Sequence, residues 1–513
     1  MNTPVQNSNS AEKYQPISEV FQCDAQGSLP RESNTDFRQN LLPPHVCIFN
    51  HEVFPNKPQI NRRGSSKDVE NLHKTFSSLE CSIEIVCNPT LAMVKDTVRK
   101  LTLKSFDRLS GLVLVILSYG DDRIHTCDEK MYDLDGDVLE PLVENNSLSG
   151  KPKIVIIQAS SLSTGHYTSK IPSPYIKCFS STGGYFSYRN VGKGSFFIQV
   201  LCKEMDLHGL TKDFRSIIDD VNAMVESHAE SVGRMQVPSI TSTLRKPFCF
   251  GDYVQHANAP ISRTSTIATV PRTYAIATVP GTSLGNSQLK LHSPLVYILN
   301  HEMFINSDKD RSGSLIDVKA LRSTFESLNC DVHEVQNPTL AVVQDTFQKL
   351  ETENLELRSA LVIAILSHGD CNGLIEACDD TAYYLNKDVL FPLFRNDTLR
   401  GKPKILIVQA CKGTLEADSN LIGYNPRDYI ICYGTSEGFK AYRHTSFGSP
   451  FIQTLCQHMD RYGKKKDFLK IIQAVNQSVT EEAPLKYRRE MIPSYTSTLG
   501  KKKFYFWHNT YTE

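Results

Sequence analysis

The chain has 513 residues, which is longer than one ordinary domain, and 40% of them are hydrophobic, which is enough for substantial cores. Its 56 basic residues balance its 56 acidic residues, and the isoelectric point is near 7.2. This balance gives no indication of nucleic acid or of an anionic membrane as a partner.

The N-terminal residues, the apolar runs and the cysteines bear on location. Residues 1–15 contain no apolar segment of the kind that a signal peptide needs. The longest apolar runs, "GLVLVIL" and "ALVIAIL", are far too short to span a bilayer and suit buried parallel strands. Fourteen cysteines in such a chain predict reduced thiols and a cytoplasmic protein. Because there is no CxxC pair and no cluster of Cys and His, we expect no metal site, and we expect no other cofactor.

An internal duplication determines the organisation of the chain. Five segments recur at an offset of roughly 250 residues. They are "CIFNHEVF" and "YILNHEMF", "NPTLAMVKDT" and "NPTLAVVQDT", "VILSYGD" and "AILSHGD", "FIQVLC" and "FIQTLC", and "PSITSTL" and "PSYTSTL". An offset of this size indicates two whole domains with small insertions between them, not a short-period solenoid.

Four parts follow in chain order. Residues 1–40, rich in Asn, Ser, Gln and Pro, predict a disordered leader. Residues 41–250 are the first domain, and residues 251–293, in which "IATVP" occurs twice, predict a flexible linker. Residues 294–513 are the second domain.

Short apolar runs alternate with amphipathic stretches within each domain. In the second domain they predict strands at 295–300, 331–335, 360–366, 404–409 and 429–433. They predict helices at 315–328, 340–350, 387–394, 448–461 and 465–478. This alternation is typical of an α/β domain with helices on both faces of a mostly parallel sheet.

Polar residues follow two of the buried strands in the second domain, and they suit nucleophilic catalysis. "LSHGD" contains His368 and "QACKG" contains Cys411. In a parallel sheet the carboxyl ends of strands form the active crevice, so the imidazole and the thiol can meet there. An imidazole activates a thiol and later protonates the leaving amine. The amides of Gly369 and Cys411 are candidates for a two-donor oxyanion hole.

These motifs resemble the catalytic His and Cys signatures of the caspase family. "SHGD" is followed by Gly373, and "KPK" precedes "QACKG", which ends at Gly413. The resemblance covers roughly 43–250 and 295–510, and it includes an "R-x-G-S" turn and a "Y-R" pair. It implies a mostly parallel six-stranded sheet in each domain, flanked by helices on both faces. Two departures are Lys412, which we expect to be harmless, and "AYR" where "SWR" is usual, which we expect to reshape the pocket beside Tyr442.

The resemblance also implies a primary specificity pocket made by Arg311, Gln409 and Arg443. Two guanidinium groups and an amide supply donors that match a carboxylate. A neutral Asn side chain would leave these charges uncompensated, so it would be rejected. We therefore expect an endopeptidase that cleaves protein substrates after exposed aspartates.

The first domain departs from the pattern at both catalytic positions. Tyr119 replaces the His and Ser160 replaces the Cys. A phenol is a poor general base at neutral pH, and a serine without a base is a poor nucleophile, so we predict a pseudoprotease. The pocket positions persist, and two interpretations stay open: they dock an acidic side chain, or they only support packing. These positions are Arg62, Gln158 and Arg189.

Processing and assembly follow from the resemblance as well. Family members are zymogens cut between a large and a small subunit, and Asp418 in "LEADS" is the candidate site. They dimerise through the last strand of the small subunit, which maps to 241–250 and 496–506. We expect pairing within one chain or between two, with the dead domain as a tethered partner that activates or inhibits the live one. Apoptosis is the implied role, and the alternative is a silent decoy that binds other caspases or their substrates.

Overall fold

The computed structural model describes residues 41–118, 123–159, 174–182, 187–254, 291–369, 374–411, 426–436, 441–487, 491–506 and 510–512. The predicted leader and residues 255–290 of the predicted linker lie outside the described residues. Tyr119, Ser160 and Asp418 lie outside them as well.

Each repeat contributes six strands to one sheet of twelve. In the first repeat these are β1 (His45–Asn50), β2 (Ser82–Cys87), β3 (Leu112–Leu117), β4 (Lys153–Gln158), β5 (Tyr175–Phe179) and β6 (Ser239–Ser242). In the second they are β7 (Leu295–Asn300), β8 (Asp331–Gln336), β9 (Leu361–Leu366), β10 (Lys404–Gln409), β11 (Tyr429–Tyr433) and β12 (Ser494–Ser497). The strand order is β8-β7-β9-β10-β11-β12-β6-β5-β4-β3-β1-β2.

The sheet is parallel within each repeat except at its last strand. β6 is antiparallel to β5, β12 is antiparallel to β11, and β6 and β12 are antiparallel to each other. The two repeats are therefore joined by backbone hydrogen bonds along one seam in the middle of the sheet. The prediction of a six-stranded, mostly parallel sheet in each repeat is confirmed.

Helices cover both faces of the sheet. They are α1 (Ser65–Ser78), α2 (Leu91–Leu103), α3 (Phe196–His208), α4 (Phe214–Ser231), α5 (Ser314–Ser327), α6 (Leu340–Thr352), α7 (Phe391–Arg395), α8 (Pro450–Tyr462) and α9 (Phe468–Tyr487). No helix among the described residues is long and apolar enough to cross a membrane.

Alternation along the strands divides the core of each repeat in two. Val362 and Ala364 of β9 pack with α5, α8 and α9, whereas Ile363 and Ile365 pack with α6 and α7. Because successive side chains of a strand point to opposite faces, a run that is apolar throughout needs helices on both sides. This explains why the uninterrupted run "LVIAIL" forms a fully buried strand.

The structure corrects two details of the predicted elements. The predicted helix at 387–394 consists of a π-helical segment, Leu385–Leu390, followed by the short helix α7, which has a proline in its first turn. The last strand does not extend over 496–506 or over 241–250, because β12 ends at Ser497 and β6 at Ser242. Beyond these points Phe506 and Phe250 turn into the core beneath the helices instead of continuing the sheet.

Amide hydrogen exchange measured by mass spectrometry should follow this layout. β10 lies between two strands and is buried throughout, whereas β8 is an edge strand with one neighbour and partly exposed residues. We expect amides of β10 to exchange at least about 100-fold more slowly than those of β8, because their opening needs disruption of the core. β4 and β2 of the first repeat give the matched internal comparison. Equal protection of central and edge strands would contradict the layout.

Candidate active site

The parallel register brings His368 and Cys411 to the same edge of the sheet. Leu366 of β9 lies opposite Gln409 of β10, so His368 and Cys411 each follow two residues beyond a register pair. The backbone of Gly369 touches that of Cys411. A β-carbon added to Gly369 would lie 2.4 Å from the carbonyl oxygen of Cys411 and 3.3 Å from its amide nitrogen. A side chain would not fit at Gly369, whose backbone lies against that of the residue that carries the thiol.

A backbone carbonyl orients the imidazole of His368. Its Nε2 lies 2.7 Å from the carbonyl oxygen of Lys309, and its ring packs against Phe304 at a centroid distance of 5.5 Å. Because a carbonyl can only accept, Nε2 carries the hydrogen and Nδ1 remains an acceptor. Burial lowers the pKa of His368, and the charge of Arg311 acts in the same direction, although the bond to Lys309 opposes them. The ring is therefore neutral near pH 7, as a general base must be.

Two guanidinium groups lie near this pair, and no described carboxylate lies within ion-pair distance of either of them. Arg311 is 1% exposed, and its Nη1 donates to the carbonyl of His301 at 2.9 Å and to Ser314 Oγ at 2.8 Å. Arg443 donates from Nε to the carbonyl of Ser312 at 3.2 Å. Neither arginine forms an ion pair with any described residue, and Arg311 Nε has no hydrogen-bond partner among them. Burial, followed by the charge of Arg443, lowers the pKa of Arg311 to about 9.

Gln409, which the resemblance assigns to the pocket, also makes a structural contact that the sequence did not suggest. Its Nε2 donates to the carbonyl of Tyr442 at 3.2 Å, so one amide hydrogen fixes the segment that carries Arg443. Its side-chain oxygen is buried and has no hydrogen-bond partner among the described residues. Gln409 therefore positions the arginine as well as lining the pocket.

Sequence reasoning missed a buried carboxylate that holds the pocket together. Asp317 is fully buried in the first turn of α5 and accepts from the amide of Ser449 at 2.8 Å, from Ser449 Oγ at 2.5 Å and from Gln453 Nε2 at 2.7 Å. These bonds tie the residues after Arg443 to the helix that follows Arg311. A signal was available, because the first repeat has Asp68 and Ser195 at the matching positions.

The arginine pocket is built in the same way in the first repeat. Arg62 donates from Nη1 to Ser65 Oγ at 2.6 Å and from Nη2 to the carbonyl of Gln158 at 3.4 Å. Arg189 donates from Nε to the carbonyl of Arg63 at 3.2 Å. Burial, followed by the charge of Arg189, lowers the pKa of Arg62 to about 9. The first repeat thus keeps a pair of arginines that form no ion pair with a described residue.

The two replaced catalytic positions and the expected cleavage site are not part of this geometry, because Tyr119, Ser160 and Asp418 lie outside the described residues. Within the described residues there is no group of three or more His, Cys, Asp or Glu side chains that could hold a metal ion.

Comparisons with known proteins agree with this arrangement. The family model of the caspase domain matches twice, at residues 44–249 and 293–505, and so covers most of the chain. Caspase-3 of Xenopus laevis is 33% identical over 223 residues, which are 41% of this chain and 79% of that protein. Caspase-3 of Mesocricetus auratus is 32% identical over 234 residues (41% and 83%), and that of Mus musculus is 30% identical over 255 residues (44% and 88%). The chain therefore belongs to the caspase family and carries two caspase domains in tandem.

Proposed function

We propose that the second repeat is a cysteine endopeptidase that cleaves proteins after aspartate, and that the first repeat is its catalytically silent partner. One observation carries the proposal. His368 and Cys411 follow a register pair of adjacent strands, and two arginines that form no ion pair with a described residue lie beside them. A purely structural pair of strand ends would have no use for two guanidinium groups held close together without a carboxylate.

The residues divide the chemistry in the following way. Nδ1 of His368 accepts the thiol proton of Cys411, and the sulfur attacks the main-chain carbonyl carbon of the substrate aspartate. The amides of Gly369 and Cys411 donate to the oxyanion that forms. His368 then returns the proton to the leaving amine, which breaks the peptide bond and leaves a thioester. Water, deprotonated by His368, hydrolyses the thioester and releases the new carboxyl terminus.

Charge explains the selectivity for aspartate. The pKa of Arg311 is lowered first by burial and then by Arg443, so an incoming carboxylate relieves the repulsion between the two guanidinium groups. An asparagine side chain has the same shape but no charge, and it leaves that repulsion in place.

Turnover of peptides tests the proposal directly. We expect the full chain to cleave fluorogenic peptides ending in Asp on the order of 10⁴-fold better than those ending in Asn. His368→Ala should lower kcat by about 10²- to 10⁴-fold because the base is lost. Cys411→Ala should abolish turnover, and Cys456→Ala, which removes a buried thiol far along the chain, is the matched control. No Asp-selective turnover of any peptide would contradict the endopeptidase proposal.

The pH dependence of kcat/KM follows from the pKa of His368. The neutral imidazole is the active form, and burial lowers its pKa below the ordinary 6.5. Activity should therefore persist as the pH falls through 6.5 and decline only below it. A profile of kcat/KM between pH 4.5 and 8 measures this limb with an Asp peptide. An acid limb whose midpoint lies at or above 6.5 would show that the imidazole is not shielded in this way.

Maturation and location are parts of the same proposal. We assign the processing cut to Asp418 rather than to Asp428, because Asp428 is 3% exposed and accepts from Lys502 Nζ at 2.6 Å. The described cysteines are all free thiols, which supports action in the reducing cytoplasm. The family resemblance implies a role in apoptosis.

The first repeat supports a second candidate function. Its pocket keeps Arg62 and Arg189 without an ion pair to a described residue, in a domain that lacks both catalytic residue types. Such a pocket can hold an acidic side chain without cutting the peptide. The chain would then also act as a decoy for caspase substrates, in addition to the proteolysis in the second repeat.

Binding stoichiometry tests the decoy function. In a Cys411→Ala chain, titration calorimetry with a peptide ending in Asp should count two sites. Arg62→Ala should remove one site and Arg311→Ala the other, because each substitution removes a guanidinium from one pocket. A single site that survives Arg62→Ala but not Arg311→Ala would overturn the decoy function and leave the endopeptidase proposal intact.

A further inference from the structure

The seam between the repeats has a local twofold centre. Thr241 of β6 lies opposite Thr496 of β12, and their hydroxyl oxygens are 2.9 Å apart. The two threonines hold equivalent places in the repeated segment "TSTL". Backbone pairing at this seam would therefore be equally good between two first repeats, two second repeats, or one of each. The choice of partner must come from side chains.

The three ion pairs that cross the seam between described residues all have the same polarity. The first repeat supplies carboxylates from α4, and the second supplies cations. Arg427 Nε lies 2.7 Å from Glu226 Oε1, Arg427 also contacts Glu230, and Lys501 Nζ lies 2.9 Å from Asp220 Oδ1. The side chain of Arg427 is only 9% exposed. Although burial acts to raise it, the ammonium groups of Lys212 and Lys501 hold the pKa of Asp220 below its ordinary value.

The reciprocal positions lack the three carboxylates and the arginine, although Lys246 of the first repeat holds the place that corresponds to Lys501. Alignment of α4 with α9 from their first phenylalanine places Ala474, Thr480 and Pro484 of the second repeat where the first has Asp220, Glu226 and Glu230. Alignment of β5 with β11 places Ser173 of the first repeat where the second has Arg427. If two second repeats paired, each Arg427 would face Thr480 and Pro484, and each Lys501 would face Ala474.

A buried arginine of the first repeat adds a polar contact to the second repeat that has no reciprocal counterpart. Arg215 of α4 donates from Nη1 to Tyr495 Oη of β12 at 2.6 Å and lies over its ring at 5.2 Å. The matching positions are Leu469 and Ile240, which have no polar group to exchange. Pairing of two second repeats would therefore lose this bond as well.

We propose that this one-sided charge pattern selects a first repeat as the partner of the catalytic repeat and rejects a second copy of the catalytic repeat. A nearly buried guanidinium without its carboxylates is costly, so pairing of two second repeats is disfavoured at Arg427. Each catalytic repeat then has a first repeat as its neighbour, and two catalytic repeats do not share a seam. This inference concerns partner choice and does not depend on the catalytic proposal.

Cysteines placed at the centre of the seam report which repeats pair. In the full chain carrying Cys411→Ala, Thr496→Cys can form a disulfide with itself only if two second repeats meet. We expect that variant to remain a monomer on a non-reducing gel after mild oxidation. Thr241→Cys combined with Thr496→Cys should instead form a disulfide between residues 241 and 496 within one chain, identified by peptide mass. The chain without added cysteines is the control for the native thiols.

Moving the carboxylates should change the partner. T480E with P484E, combined with E226T and E230A, places the acidic pair on α9 and removes it from α4. In the Thr496→Cys chain this transplant should raise the covalent dimer at least about tenfold, which corresponds to 1.4 kcal/mol of pairing preference. R427E with E226R and E230R reverses the charges of Arg427 and its two carboxylates and should keep the disulfide between residues 241 and 496, which would show that the seam tolerates substitution.

Two results would overturn the inference. One is efficient dimerisation of the Thr496→Cys chain with its native α4. The other is a dimer fraction that the transplant leaves unchanged while the charge-reversed chain still forms its disulfide within one chain.

Discussion

Parallel register is the constraint on which the site depends. Strands that run in the same direction end at the same edge of a sheet, so residues just beyond a register pair meet without any further device. Leu366 and Gln409 are such a pair, and the residues two positions later are His368 and Cys411. The contact between Gly369 and Cys411 depends on the same register, since a shift of one residue would move every side chain to the other face.

The pocket arginines are held by uncharged groups and by one buried acid at a distance. Arg311 donates hydrogen bonds to a backbone carbonyl and to the hydroxyl of Ser314, and that hydroxyl donates in turn to Asn300 Oδ1. Asp317 binds Ser449 rather than either guanidinium, so it fixes the pocket without filling it. Neutral acceptors bond directly to the two guanidinium groups, so the carboxylates of Asp317 and Glu302 act on them only from a distance.

Sequence patterns predicted most of the fold because uninterrupted apolar runs and amphipathic periods are strong local signals. β7, β10 and β11 have the bounds that the sequence predicted. The last strand was misplaced because its apolar residues beyond Leu499 serve the core under α9, and alternation alone does not distinguish the two uses.

The candidate site was predictable where chemistry resides in side chains, as at His368 and Cys411. It was not predictable where a backbone group acts. His368 bonds to the backbone carbonyl of Lys309, and every residue type carries such a carbonyl. The bond from Gln409 to the Tyr442 carbonyl was hidden for the same reason. Asp317 was accessible through the duplication, since a buried acid at the same place in a copy that lacks both catalytic residue types indicates architecture rather than catalysis.

The two catalytic positions and the partner surface involve different parts of the first repeat. The catalytic positions differ from the family pattern in two residue types, whereas the seam needs β6 and the carboxylates of α4.

The contacts between the repeats include residues at the start of β11, which pairs with β10. Arg427, two residues before β11, has its Nε 2.7 Å from Glu226 Oε1 of the first repeat. Tyr429, two residues later, has its hydroxyl 3.4 Å from Thr182 Oγ1 of the first repeat. The residues that lead into β11, which pairs with the strand that precedes Cys411, are thus held by the first repeat. A change in the pairing of the repeats therefore acts directly on β11, without any need for a longer path through the core.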